Sequence, residues 1–150
     1  MYDSYRIYLS YDSYRRLFKP RKMNKKPTDA ELEVLRVLWD HGPSSVRFVH
    51  TELSKNREVV YTTTLKMMQV MATKGFLDRD TSQKTHLYKP VIKQDMIREN
   101  MVDKLLNTVF DGSPLKLALH ALGHQKTSKQ DLAQIKDLIQ QLEKDNHDNS

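Results

Sequence analysis

Cysteine is absent from this 150-residue chain. That absence excludes a disulfide framework, a zinc knuckle, a thiolate metal site and a cysteine nucleophile, and it suits a reducing, cytoplasmic setting. Long apolar runs are missing too. With 38% apolar residues the chain fits one or two small domains with modest cores rather than a membrane span. Glycine is scarce: the four are Gly42, Gly75, Gly112 and Gly123, each at a point where a helical pattern is expected to stop. No serine, histidine or aspartate stands in a nucleophile-elbow, P-loop or HExxH setting, so no enzyme is expected. His120 and His124 have the spacing of a helical metal clamp but no third ligand in sequence reach, so neither a metal nor a cofactor is expected.

Charge is plentiful but uneven. The formal net charge is +6, and residues 1–26 alone carry eight basic and two acidic side chains, so residues 27–150 sum to zero. The high isoelectric point therefore describes a tail, not a domain. Within the neutral remainder, residues 44–91 hold eight basic and four acidic side chains, a local excess suited to nucleic acid. The tail itself is a tandem repeat, "YDSYRIYLS" followed by "YDSYRRLFK", with tyrosines at 2, 5, 8, 11 and 14. Period three matches neither a helix face nor a strand face, so residues 1–26 read as a disordered basic tail, able to touch nucleic acid by phosphate pairing and base stacking. Alternatively, Met23 is the biological start and the repeat is translated upstream DNA.

The remainder divides by its punctuation. Thr28-Asp29-Ala30-Glu31 forms a capping box ahead of a helix with Leu32, Leu35, Leu38 and Trp39 on its apolar face, Trp39 being read as core. His41-Gly42-Pro43 stops it, and Ser44 or Ser45 caps a second helix in which Val46, Val49 and Leu53 align. A third helix runs through "YTTTLKMMQVMATKG", and "FLDRDT" and "THLYKPV" alternate around Ser82-Gln83-Lys84 as a β-hairpin. Three helices and a hairpin over residues 27–91 make a winged helix-turn-helix. Residues 92–143 are helical throughout, with Leu105 on a long helix, Ser113-Pro114 opening a short one, and Leu132, Ile135, Ile139 and Leu142 at heptad spacing on the last. Apolar stripes this large on such short helices call for a partner, most simply a second copy. Residues 144–150 are expected to be disordered. The fold class is thus mainly α with a small β-hairpin.

The third helix carries the functional question. Thr62, Lys66, Gln69 and Thr73 fall at i, i+4, i+7 and i+11, opposite Thr64, Met68 and Met71. A helix fits the major groove, where Thr62, Thr63 and Lys66 can meet phosphates or bases, Gln69 can pair with adenine, and Val70 can meet a thymine methyl. Arg79 and Lys84 near the wing tip are phosphate-contact candidates, as are Arg47 and Lys55. A solvated polar stripe is the competing reading, and with it a winged-helix protein-interaction adaptor that binds no specific DNA.

The segments "PTDAELEVLRVLWDHGPSSVRFVHTEL", "YTTTLKMMQVMATKGFLDRD", "HLYKPVI" and "NTVFDGS" resemble the penicillinase-repressor family of bacterial transcriptional regulators (BlaI/MecI/CopY type). The resemblance covers roughly residues 27 to 143. It implies a winged helix, a C-terminal homodimerisation region, repression on double-stranded operator DNA of palindromic sequence, and a membrane-bound zinc metalloprotease sensor encoded nearby as a partner. The copper-responsive branch has a cysteine-rich C-terminal motif, which this chain lacks. In penicillin-responsive members the resemblance implies inactivation by cleavage at an Asn-Phe bond, whose position here is His120-Ala121. Neither residue matches, so that cleavage is not expected at this bond.

Overall fold

Thr28 starts the first helix by closing both halves of a capping box. Its hydroxyl accepts from the Glu31 amide at 3.3 Å, and its own amide donates to Glu31 Oε2 at 2.9 Å. The computed structural model describes residues 25–148; the tyrosine-rich repeat lies outside the described residues. Helix α1 (Asp29–His41) ends at Gly42, whose φ of 82° lies in the left-handed region that a side chain would resist. Helix α2 (Val46–Ser54) is capped by Ser45, which accepts from the Phe48 amide at 3.2 Å. Ser44 has a different task. Its backbone exchanges two hydrogen bonds with Tyr88, at 3.0 and 2.9 Å, and so adds a third short rung to the hairpin.

Helix α3 (Tyr61–Thr73) begins with Tyr61 and three threonines, which are weak helix formers, so packing must hold it. Thr64, Met68 and Met71 supply that packing, all fully buried. Gly75, also at φ 82°, turns the chain into β1 (Leu77–Asp80), which pairs antiparallel with β2 (Leu87–Pro90) from Leu77 opposite Pro90 to Asp80 opposite Leu87. The core joins Val34, Leu35 and Leu38 of α1 and Val49 of α2 to Met68, Met71, Phe76, Leu77, Tyr88 and Ile92. Trp39 packs against this core rather than in it: it is half-buried, and its indole Nε1 donates to the Ile92 carbonyl at 2.9 Å.

The chain divides into two compact units, one ending at Glu99 and the other beginning at Asn100. The division falls inside α4 (Gln94–Val109), because Ile97 is buried in the first unit's core. The second unit holds the rest of α4, α5 (Pro114–His124) and α6 (Lys129–Asp148). Ser113 and Ser128 cap the two latter helices, accepting from the amides of Lys116 and Asp131 at 3.2 and 3.0 Å. Two expectations are corrected here. Gly123 lies within the last turn of α5 and needs no positive φ, so it stops nothing. Residues 144–148, expected to be disordered, continue α6, since no glycine or proline intervenes to end it. No residue of α5 or α6 is buried.

Leu35 is fully buried, so Leu35→Ala should destabilise the first unit by about 2–5 kcal/mol. Trp39 is the only tryptophan and lies in that unit, so its fluorescence in a urea titration reads this loss without interference from the second unit.

Candidate nucleic-acid interface

The face of α3 opposite the core is the surface to consider. Thr62, Thr63, Lys66, Gln69, Val70 and Thr73 are all exposed, as the sequence spacing requires once Thr64, Met68 and Met71 face inward. An open depression of about 430 Å³ lies along this face, lined by Glu31, Thr62, Thr63, Lys66, Met67 and Val70. Four of the five candidates on α3 therefore share one surface; Gln69 is exposed but does not line it. Val70 is 41% exposed, an apolar patch in a polar stripe. The helix start is bare: Val60 at the cap position offers no side-chain acceptor. The Thr63 amide donates to the Val60 carbonyl at 3.1 Å, so of the first turn the Tyr61 and Thr62 amides remain available to solvent or to an anion. His50 of α2 sets its ring edge-on to Tyr61 with centroids 5.5 Å apart, packing beside that start.

Glu31 borders this depression, but its charge is already engaged. Oε2 accepts from the Thr28 amide, and Oε1 accepts from Lys74 Nζ at 2.6 Å. The carboxylate is 5% exposed. Burial works against ionisation, but the hydrogen bonds from Lys74 and Thr28 outweigh it and hold the carboxyl below its ordinary value. Because Lys74 follows the last residue of α3, this pair ties the end of α3 to the start of α1.

The other cations sort by pairing. Lys55 is held by Glu52 at 2.6 Å, Arg57 by Glu33 at 2.8 Å, and Lys89 by Asp78 at 3.4 Å. Arg47, Lys66, Arg79 and Lys84 have no ion pair among the described residues. Lys55 and Arg47, equal candidates in the sequence, are thus separated. On the hairpin, Arg79 belongs to β1, and Lys84 lies in the exposed loop between the strands. Asp80 begins that loop by accepting from the Ser82 amide at 2.8 Å, and its hydrogen bonding to Ser82 holds its carboxyl below the usual value.

Sequence reasoning missed the Glu31–Lys74 pair, the Ser44–Tyr88 rung and the His50–Tyr61 contact. The only available signal was Glu31 in its capping box. The candidates outside α3 and the hairpin sit elsewhere: Leu105, Leu132 and Ile139 are 41%, 40% and 49% exposed, while Ile135 and Leu142 are half-buried. The His120-Ala121 bond lies inside α5.

A family model described as "Penicillinase repressor" matches residues 27–141. The chain is 26% identical over 121 residues to the penicillinase repressor of Bacillus licheniformis, covering 79% of this chain and 94% of that protein. It is 33% identical over 94 residues to the transcriptional regulator BlaI of Mycobacterium tuberculosis, covering 61% of this chain and 68% of that protein. Among solved structures, the DNA-binding domain of the repressor BlaI is similar with a TM-score of 0.44 at 30% identity, over 51% of this chain and 93% of that one.

Glu31 ionises below its ordinary 4.5 in the folded chain, so its pairing stabilises fully above about pH 4.5 and is lost as pH falls through the folded value. Urea unfolding across this range should show Glu31→Gln less stable than the parent near neutrality, with the gap closing in acid. A gap that stays constant down to about pH 3 would show that the pair does not carry this pH dependence.

Proposed function

The chain belongs to the penicillinase-repressor family, a family of DNA-binding transcriptional repressors, and from that premise we propose that it acts as a homodimer on a palindromic operator. The observation that supports this reading best is the depression on α3. Its residues leave the core to Thr64, Met68 and Met71, and Lys66 stands there without an ion pair among the described residues. In the major groove, Thr62, Thr63 and Lys66 near the start of α3 approach base edges and phosphates first, and Val70 offers an apolar contact for a thymine methyl. Arg47, Arg79 and Lys84 contact the backbone and position the helix without specifying sequence.

The apolar side chains left uncovered in the second unit support the homodimer. Leu105, Leu132, Ile135, Ile139 and Leu142 form its proposed interface, since none is buried within one chain. Two reading helices related by a two-fold axis address half-sites about one helical turn, or a small multiple of it, apart.

Lys66→Ala and Thr63→Ala should each weaken operator binding while leaving thermal unfolding unchanged, because both residues are exposed. A lost base contact is worth about 1–3 kcal/mol, and a dimer loses it twice. Gel-shift titration with both variants decides this, and unchanged affinity in both would mean that another face of α3 reads the DNA. Affinity should also fall steeply with salt; a shift insensitive to sequence and salt would favour the adaptor reading. For the interface, sedimentation of Ile139→Glu should show a monomer where the parent is a dimer, and a parent that is monomeric at micromolar concentration would refute the homodimer.

A further inference from the structure

His120 and His124 stand one turn apart on α5, and both are exposed. Their ring centroids are 5.7 Å apart, with planes inclined at 42°. Metal–nitrogen bonds to imidazole are about 2.0–2.1 Å, so two rings sharing one ion at a tetrahedral angle have centroids on the order of 5 Å apart. The observed spacing needs only a small side-chain adjustment to reach that geometry. Phe110 packs its ring against His120 in an edge arrangement, with centroids 5.5 Å apart, which limits where that imidazole can swing. Neither imidazole has a hydrogen bond or ion pair among the described residues, so no protein donor or acceptor competes for its nitrogens.

The setting also suits a cation. Both rings border an open depression of about 650 Å³ whose other walls include Val109, Phe110, Leu119 and Gly123. Lys116 is the cation that reaches this depression, and its ammonium is held by Asp111 at 2.6 Å, which offsets its repulsion of an incoming metal. Gly123 lies between the two histidines in sequence and contributes no side chain to block the space.

We propose that His120 and His124 form a two-histidine site on α5 for a divalent first-row transition metal. Imidazole donors favour nickel, copper and zinc over calcium or magnesium. Among the described residues no cluster of three His, Cys, Asp or Glu side chains exists, so water completes the coordination. Bound metal clips the last turn of α5 across Gly123, where helix propensity is weakest. This site is independent of how α3 reads DNA.

Isothermal titration of the full chain, free of any histidine tag, with NiCl2 tests the proposal. One saturable site per chain is expected. His120→Ala and His124→Ala should each weaken it by at least about tenfold, because even outer-shell losses at metal sites reach that size. His147→Ala, on α6, should leave it unchanged. Both site residues are exposed, so the variants keep their helix; circular dichroism checks this, and Gln variants at the same positions repeat the reading. Affinity unchanged in both site variants, or no saturable binding by the parent, overturns the site. MgCl2 in place of NiCl2 should give no heat, and equal binding of magnesium also overturns it.

Discussion

The Glu31 carboxylate is the group on which the geometry of the first unit turns. Buried charge is tolerated only when it is paired and hydrogen-bonded, and this one has both: the Thr28 amide on one oxygen and Lys74 on the other. Thr28 and Glu31 define the start of α1, and Lys74 follows the end of α3. A single carboxylate thereby ties the far end of α3 to the start of α1. Removing Lys74 would do more than lose a surface pair, because it would leave a buried anion with only half its partners. The pair joins two helix ends, while the packing of Thr64, Met68 and Met71 turns the stripe of α3 outward.

That arrangement separates stability from reading. On α3 the inward residues do the packing, and the residues around the depression take no part in the core. The exposed positions can therefore change without unfolding the unit. The pairing of charges also bears on how a nearly neutral first unit can suit a polyanion. Glu52, Glu33, Asp78 and Glu31 neutralise one set of cations and leave Arg47, Lys66, Arg79 and Lys84 unpaired among the described residues. What matters to phosphate is the local field of unpaired cations rather than the sum over the chain.

Much of this was legible because it is local. The capping box at Thr28, the stop at Gly42, the methionine face of α3 and the hairpin each lie within a window of a few residues, where spacing and turn chemistry act directly. Glu31–Lys74 spans 43 residues and Ser44–Tyr88 spans 44, and no periodicity encodes which distant residues meet. Lys55 differs from Arg47 by a local signal that the sequence reading passed over: Glu52 lies three residues before Lys55, the spacing at which helical side chains meet. Boundaries failed where composition is permissive. Nothing in residues 144–148 opposes a helix, and Gly123, unlike Gly42, is not asked for a left-handed backbone.

The two units differ in what completes them. The first has a core of its own, whereas α5 and α6 bury nothing. Among the described residues, ten large apolar side chains of the second unit are exposed, including Leu115 at 67% and Leu119 at 64%. Each is already partly covered, so full burial of one would contribute half of the usual side-chain value, about 1 kcal/mol. Covering all ten would then contribute about 10 kcal/mol, which falls within the roughly 4–15 kcal/mol that association costs in lost freedom. The proposed dimer is therefore not held by area alone. It depends on how well these side chains interdigitate, so a modest local change in the second unit can shift the balance between monomer and dimer. In the proposed dimer a two-site operator would amplify such a shift, since a monomer keeps one copy of α3 and loses the affinity gained from joining two.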